Sequence, residues 1–222
     1  MNLKTKKFIT LCATTACLNS CSLIESNNIA FGYFEAFKTV KGVILGLENK
    51  ALTPDLINNI PYASMIITIG KGAPGLVILE SVKDAESTWV SADGVYLILK
   101  EGKIINTAGL GSNLTDYISP DITFDSYEDG VVKFISYYSY DKPELTYLKV
   151  KVELHELNKE TITILDKEHD LTQWQEILSN DYLGWQVVNK YWLDESGFVW
   201  KSIQNISPKL PSIQIEVTKK PS

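Results

Sequence analysis

The chain has 222 residues, and its 27 aspartate and glutamate residues outnumber its 21 lysine and arginine residues, for a formal net charge of −6. So acidic a chain is not expected to bind nucleic acid, because phosphate contacts require clustered basic side chains. The apolar share of 45% is ordinary for a globular domain, and the length suits one domain.

The N-terminus has the pattern of a secretory signal peptide. A lysine-rich start is followed by an uncharged, mostly apolar run over 8–18. This run is shorter than the roughly 20 apolar residues that span a membrane. It ends in Leu-Asn-Ser directly before Cys21, which is similar to the lipobox of bacterial lipoproteins. We therefore predict that 1–20 are removed by a cut between Ser20 and Cys21. The alternative is an ordinary secreted protein that is cut elsewhere.

The three cysteines support lipidation. Cys12 and Cys17 would leave with the signal peptide, so the mature chain would keep Cys21 alone. Its thiol would then carry diacylglycerol, and its amine a further acyl chain such as palmitate. Each buried methylene contributes about 0.8 kcal/mol to membrane attachment. The sequence therefore predicts a lipid anchor at Cys21, no disulfide, no cysteine nucleophile and no cysteine-based metal site.

Two short helices are expected after a tether at 21–29. Apolar residues recur every three or four positions between Phe31 and Ile44, which favours an amphipathic helix. Further on, Thr53 is a candidate N-cap, Pro54 would occupy the first helical position, and Pro61 would stop the helix.

From residue 63 onward the pattern is that of strands separated by short turns. Strands are predicted over 63–70 and 75–82, and the dipeptides Asp93-Gly94 and Glu101-Gly102 indicate two further hairpins. Another strand is expected after Gly130.

The clearest single strand is 148–155, where apolar residues alternate with lysine, glutamate and histidine. Segment 161–166 is expected to be its short partner, and 172–180 is interpreted as a helical turn. Residues 195–197 indicate another hairpin turn, and 211–217 the last strand.

These elements predict a mainly β fold with about ten strands joined by hairpins, and therefore an antiparallel sheet. A sheet of that size normally curls or closes, so we expect a strongly curved sheet or a partly open β-barrel with the short helices at its N-terminus. No linker divides the chain, and 30–222 are predicted to form a single domain.

Three stretches carry a resemblance to a known family. They are "LINNIPYASMIITIGKGAPGLVILE", "WVSADGVYLILKEGKIINTAGL" and "KYWLDESGFVWKSIQNISPKLPSIQIEVTKKP". Together with the lipobox they resemble the YjbF family of bacterial lipoproteins, which includes the GfcB proteins of group 4 capsule operons. The resemblance implies a largely antiparallel β-fold and an outer-membrane lipoprotein that faces the periplasm. It also implies a role in capsule or exopolysaccharide production or export, without established catalytic residues. Ser22 is consistent with sorting to the outer membrane.

Catalytic chemistry has little support in the residues. The two histidines are His155, on the polar face of a predicted strand, and His169, in a charged segment expected to be a loop. A solvated role explains both more simply than a catalytic one. Glycoside chemistry would need two carboxylates held about 5–9 Å apart. The candidates by residue type are Asp93, Asp116, Asp121 and Asp125. No catalytic residue, metal ligand or cofactor is predicted.

Aromatic residues are numerous on the predicted strands. Two interpretations are open: they fill the core and pair across strands, or some are exposed and stack on sugar rings. Tyr191 and Trp192 are expected on opposite faces. The set consists of Tyr137, Tyr138, Tyr140, Trp185, Tyr191, Trp192 and Trp200.

Three functional hypotheses follow. The first is a non-enzymatic accessory protein, anchored through Cys21, whose partners are polysaccharide export proteins or the polysaccharide itself. The second is a carrier of lipid or lipid-linked sugar on the concave face of the sheet, which a polar or filled concave face would exclude. The third is a glycan-modifying enzyme that uses a carboxylate pair.

Overall fold

The computed structural model of the protein describes residues 52–122, 124 and 131–221. Its strands form a single twelve-stranded sheet, in the order β5-β4-β3-β2-β1-β12-β11-β10-β9-β8-β7-β6, in which paired strands are antiparallel. The two edge strands, β5 and β6, lie side by side, so the sheet curves into a nearly closed barrel. The predicted mainly β, partly open barrel is thus confirmed.

The elements have the following bounds. Helix α1 is Pro54–Asn58, and the strands are β1 Ser64–Ile69, β2 Gly75–Lys83, β3 Glu86–Ser91, β4 Tyr96–Lys100, β5 Lys103–Ala108, β6 Leu114–Ile118, β7 Val132–Asp141, β8 Glu144–Ile164, β9 Lys167–Asn180, β10 Trp185–Leu193, β11 Val199–Gln204 and β12 Ile213–Lys219.

Helix α1 begins as the sequence predicts. The Thr53 hydroxyl accepts a hydrogen bond from the backbone N–H of Leu56 at 3.4 Å, and Pro54 occupies the first turn. The helix has ended before Pro61. The other predicted helix, between Phe31 and Ile44, lies outside the described residues, as do the signal peptide, the tether and Cys21.

The hairpin between β4 and β5 requires a glycine for two reasons. Glu101 and Gly102 have φ angles of 50° and 77°, the sign that tight hairpin turns of this type need at both central residues. A Cβ added to Gly102 would also lie 2.4 Å from Cβ of Val199. Close contact with β11, as well as turn geometry, therefore excludes a side chain here.

Two expectations for the second half of the chain were wrong. Residues 172–180, interpreted as a helical turn, belong to strand β9, in which alternate residues are buried from Trp174 to Asn180. Residues 161–166 do not form a separate partner of 148–155, because β8 runs unbroken to Ile164, with a register shift against β9 between Glu156 and Lys159. With β6, which the sequence analysis did not identify, the count rises from about ten strands to twelve.

The barrel has two distinct ends. At the proximal end the chain enters β1 at Ser64, which pairs with Lys219 near the C-terminus. The turns that join β2 to β3, β4 to β5 and β10 to β11 lie at this end. At the distal end are the connections from β1 to β2 and from β7 to β8. The two ends therefore present different loops.

The seam between β5 and β6 is bridged by side chains. The Asn106 amide donates to the Thr115 carbonyl at 2.8 Å, and the Leu114 N–H donates to the Thr107 hydroxyl at 2.9 Å. On the inner side of β5, Gln204 accepts from the Ile104 N–H at 2.9 Å and donates to the Gly102 carbonyl at 2.8 Å. The Gln204 side chain thus satisfies one backbone N–H and one backbone carbonyl, as a neighbouring strand would.

Candidate functional site

A buried polar cluster surrounds Glu176 in the barrel interior. Glu176 lies on β9 with 2% of its surface exposed. Its carboxylate accepts from Nζ of Lys103 at 2.7 Å, from the Tyr191 hydroxyl at 2.8 Å and from the Asn189 amide at 3.0 Å. The Lys103 ammonium also lies 5.3 Å from the ring centroid of Phe124. The cluster therefore joins β5, β9 and β10 across the barrel.

This environment determines the protonation of the cluster. Burial opposes the charged form of Glu176, but the Lys103 ammonium and the three hydrogen bonds outweigh it and lower the pKa of the carboxyl group. Burial, and then the nearby Glu176 charge, raise the pKa of the Tyr191 hydroxyl well above its ordinary value. The stable state is thus an ionised glutamate beside a neutral tyrosine.

The interior around this cluster is filled. The cavity next to Glu176 and Gln204 has a volume of about 10 Å³, which is barely enough for one water molecule. Apart from an apolar recess at the proximal end, the rest of the described interior is packed with buried apolar side chains from strands on both sides of the barrel. In the part of the barrel that the structure describes, this filling argues against a lipid carrier that uses the concave face.

A second polar cluster holds the turn between β10 and β11 at the proximal end. One carboxylate oxygen of Asp194 accepts from the N–H groups of Ser196 at 2.9 Å and Phe198 at 3.1 Å. The other accepts from Nε1 of Trp200 at 2.8 Å and Nζ of Lys220 at 2.7 Å. Burial opposes ionisation of Asp194, but these donors, Lys220 foremost, hold its pKa well below the ordinary value.

Replacing Asp194 by asparagine is expected to lower the free energy of unfolding by about 1.5–3 kcal/mol, the range for hydrogen bonds to a charged group. If the amide oxygen keeps the bonds from Ser196 and Phe198, the new NH2 group faces the Trp200 and Lys220 donors and cannot accept a hydrogen bond from either. Urea denaturation measures the change. Glu195→Gln is the matched control, because Glu195 is 93% exposed and only 3.9 Å from Lys159 in a solvated pair. Equal stability of the two variants would contradict the assignment.

Two recesses open at the proximal end. One, of about 300 Å³, combines acidic and basic side chains, among them Glu86, Lys100, Glu101 and Asp121. The other, of about 280 Å³, is mostly apolar and is lined by side chains that include Met65, Trp89, Leu99, Phe198 and Val217. The apolar recess is at the lower limit of the volumes that small-molecule sites usually have.

A larger groove of about 470 Å³ opens where β6 begins, β7 ends and β8 begins. Tyr147 lies in it with 58% of its surface exposed. Asp116, Asp141 and Glu144 provide carboxylates, and Ser139 provides a hydroxyl group. An exposed ring beside several hydrogen-bond acceptors makes this groove the candidate binding site for a polar ligand.

The two histidines occupy separate strands. His155 is half-buried on the outer face of β8, and its Nε2 has no hydrogen-bond partner among the described residues. His169 was expected in a loop, which was wrong: it lies in β9, with its ring centroid 4.3 Å from that of Trp200. Burial, followed by the charge of Lys167, lowers the pKa of His169.

The carboxylates considered for glycoside chemistry are dispersed. Asp93 lies in the β3–β4 turn, where it accepts a hydrogen bond from the Ser91 hydroxyl. Asp121 is exposed at the proximal end, 3.5 Å from Nζ of Lys100. Asp116 lies on β6 in the groove, and Asp125 is outside the described residues. The structure thus brings none of the described candidates together as a pair across a cleft.

Most of the aromatic side chains fill the barrel. Both Tyr191 and Trp192 are buried, although they lie on opposite faces, because Trp192 is covered on the outer face by Glu160 and Lys201. Tyr138 and Tyr140 are also buried, Trp185 and Trp200 are half-buried, and Tyr137 is exposed. The core interpretation therefore holds for most of the set.

Sequence reasoning missed the residues that matter most to these sites. Glu176 lay in a segment interpreted as a helical turn, and Tyr147 was not considered as a ligand-binding residue. The strand alternation of Trp174, Glu176 and Leu178 was the available signal for Glu176. Nothing in the sequence around Tyr147 indicates its backbone conformation.

Within 52–122, 124 and 131–221, no cluster of three or more histidine, cysteine, aspartate or glutamate side chains is placed to hold a metal ion. In the same ranges, no helix has the length and apolar character needed to cross a bilayer.

Comparisons with known proteins converge on one family. The family model described as "Group 4 capsule polysaccharide lipoprotein gfcB, YjbF" matches residues 37–218. The lipoprotein YjbF of Escherichia coli K12 is 25% identical over 167 residues, which cover 72% of this chain and 77% of YjbF. The lipoprotein GfcB of the same organism is 28% identical over 78 residues, 35% of this chain and 36% of GfcB.

The fold also has a solved counterpart. The crystal structure of the hypothetical lipoprotein YmcC from Escherichia coli K12 superimposes with a TM-score of 0.70 at 19% identity. The match covers 92% of this chain and 98% of YmcC. At that level of identity the likeness shows a shared barrel fold.

Proposed function

This chain belongs to the YjbF family of group 4 capsule polysaccharide lipoproteins, and we propose that it is a non-enzymatic accessory factor in the assembly or export of a surface polysaccharide. It is anchored through lipidated Cys21 in the outer membrane and faces the periplasm. Its partners are the export proteins or the polymer.

The observation that carries this proposal is the family match together with the two-ended barrel. The chain enters the barrel at Ser64, at the proximal end, while the groove around Tyr147 lies where β7 and β8 meet at the distal end. A lipid attached upstream at Cys21 would connect to the barrel through the proximal end, where the chain enters it. The groove lies at the opposite end from this attachment and is open to a polymer or an export protein.

Deletion of the gene is expected to reduce surface polysaccharide, and the wild-type gene to restore it. A Cys21→Ser protein exported by an ordinary cleavable signal peptide should restore much less, because it lacks the acyl chains that hold it at the membrane. Extracted polysaccharide is quantified per cell, and immunoblotting confirms that both proteins reach the periplasm.

Full rescue by Cys21→Ser would refute the anchor. Mass spectrometry of the native mature protein gives an independent check, since a free thiol at Cys21 or a different N-terminus would also contradict it. A deletion that changes the chemical structure of the polymer while leaving its amount intact would favour the glycan-modifying enzyme instead.

A further inference from the structure

The groove at the distal end has the composition of a carbohydrate-binding surface. Three strands form it: β6 contributes Asp116, β7 contributes Ser139 and Asp141, and β8 contributes Glu144 and Tyr147. Its volume, about 470 Å³, lies within the range of small-molecule sites. The groove is open, as a site for part of a long polymer must be.

Tyr147 is held with its ring toward solvent by an unusual backbone. Its φ is 54°, a value that bulky side chains rarely adopt. It lies at a register shift between β7 and β8, between Leu145, which pairs with Tyr140, and Leu148, which pairs with Tyr138. Its N–H donates to the Ser139 hydroxyl at 3.2 Å. Such bulges re-aim a side chain relative to the regular alternation of a strand. Tyr147 consequently remains 58% exposed although it belongs to a barrel strand.

Hydrogen-bond acceptors flank this ring. Asp141 is fixed in place, because its two carboxylate oxygens accept from the backbone and side-chain N–H groups of Asn113, each at 2.7 Å. These bonds lower the pKa of Asp141. Within the described part of the chain, the side chains of Asp116 and Glu144 have no hydrogen-bond or ion-pair partner, so their carboxylates are available to accept from a ligand.

We propose that this groove binds a segment of a neutral polysaccharide, with Tyr147 stacked under a sugar ring and Asp116 and Glu144 accepting hydrogen bonds from sugar hydroxyls. The aliphatic face of a pyranose covers an aromatic ring, and the phenol hydroxyl remains available as a polar handle. The biological role of this site rests on the proposed function, since it makes the polymer itself a partner.

The charge of the groove selects against anionic polymers. No lysine is among the described residues that line it, and the whole chain contains no arginine, the residue best suited to bind carboxylates in two-point fashion. The nearest cation along the chain is Lys142 in the β7–β8 turn, whose charge acts on Asp141 and leaves Asp116 and Glu144 without a counter-charge. A polymer of uronic acids would bring its carboxylates against Asp116, Asp141 and Glu144. Bringing like charges together disfavours binding.

Binding is tested with the full mature chain, purified as a Cys21→Ser protein. The probe is the surface polysaccharide of the producing cells, cut to hexasaccharides by partial acid hydrolysis and separated into neutral and anionic fractions. Isothermal titration with the neutral fraction is expected to show saturable binding, and the anionic fraction to show none. Binding of the anionic fraction alone, or of neither fraction, would overturn the proposal.

Variants at one position separate stacking from folding. Tyr147→Ala is expected to weaken binding about tenfold or more, and Tyr147→Phe to retain most of it. Tyr147→Gly should lose binding while it keeps or raises the thermal midpoint, because glycine accepts the positive φ without strain. The control is Tyr182→Ala, since Tyr182 is 90% exposed in the β9–β10 turn, outside the groove. Equal loss in Tyr182→Ala, or no loss in Tyr147→Ala, would contradict the assignment.

Failure here differs from failure of the proposed function. A protein that binds no neutral hexasaccharide, while its deletion still lowers surface polysaccharide, would refute the groove and leave the accessory role in place. Conversely, saturable binding that depends on Tyr147 would support the groove, and unchanged surface polysaccharide after deletion of the gene would refute the accessory role.

Discussion

Replacing Glu176 by glutamine is expected to lower the free energy of unfolding by about 3–5 kcal/mol, the cost of removing one partner from a buried ion pair. The glutamine side chain has one acceptor oxygen where the carboxylate has two. Its amide would have to face either the Lys103 ammonium or the Tyr191 and Asn189 donors. Urea denaturation, extrapolated linearly to water, gives the change in free energy.

The expected loss comes from the burial of the ion pair, since an exposed pair of the same charges would contribute little. Glu153→Gln on β8 is the matched control, because Glu153 and Lys133 are 2.8 Å apart but exposed, and exposed pairs contribute little. The double variant Lys103→Met with Glu176→Leu should recover much of the lost stability, since an apolar pair avoids the cost of burying charge. A Glu176→Gln protein as stable as Glu153→Gln would show that the interior does not depend on the ion pair.

The same carboxylate makes stability depend on pH. The folded-state pKa of Glu176 is lowered, so its contribution is fully present above the unfolded-state value of about 4.3 and is lost as the pH falls below it toward the folded-state pKa. Wild-type stability should therefore decline as the pH falls below about 4.3, where the unfolded carboxyl binds a proton and the folded carboxyl does not. Glu176→Gln should show a shallower decline over that range.

Alternation and turn residues predicted the regular part of the barrel. In β8, Val150, Val152 and Leu154 are buried while Lys149 and Lys151 are exposed, as a period of two requires. Hairpins at Asp93-Gly94 and Glu101-Gly102 appeared where the dipeptides indicated. These features are local, so a single sequence is sufficient to reveal them.

The missed elements share a non-local cause. Strand β9 was misinterpreted because its inward face contains Trp174, Glu176 and Asn180, and only the distant Lys103 on β5 explains a buried glutamate there. Strand β6 is short and half-exposed, and its place is set by closure of the barrel against β5. Pairing between strands that are far apart in the sequence determines both elements, and the local propensity of a segment does not reflect such pairing.

The candidate binding site was even less visible. Tyr147 was placed beside the clearest predicted strand, yet its exposure follows from a bulge between β7 and β8 and from a positive φ that glycine or asparagine would ordinarily signal. Cys21 is the opposite case. Its proposed role is legible in the sequence because signal peptides and lipoboxes are recognised as linear segments.

Replacing Gln204 by leucine is expected to destabilise the protein by about 2–5 kcal/mol, because a buried N–H and a partly buried carbonyl would lose their partners at once. Gln204 is 1% exposed on β11, and it pairs with the Ile104 N–H and the Gly102 carbonyl. Leucine has nearly the same volume, so the loss would come from unmet hydrogen bonds and not from a cavity. Hydrogen exchange gives a local measurement: the Ile104 amide should exchange faster in the variant than in the wild type.

The consequence reaches beyond stability, since Gln204 completes the inner side of an edge strand. The groups that Gln204 satisfies face the barrel interior, so they reach another chain only when the seam between β5 and β6 opens. Because an open edge is a template for pairing with another chain, Gln204→Leu should form dimers or larger species in size-exclusion chromatography in mild urea, where the wild type does not. Gln186→Leu on β10 is the control, because Gln186 is exposed and its strand is paired on the β9 side along its length. Unchanged Ile104 exchange in Gln204→Leu would mean that the seam is held by Asn106 and Thr107 without help from across the barrel.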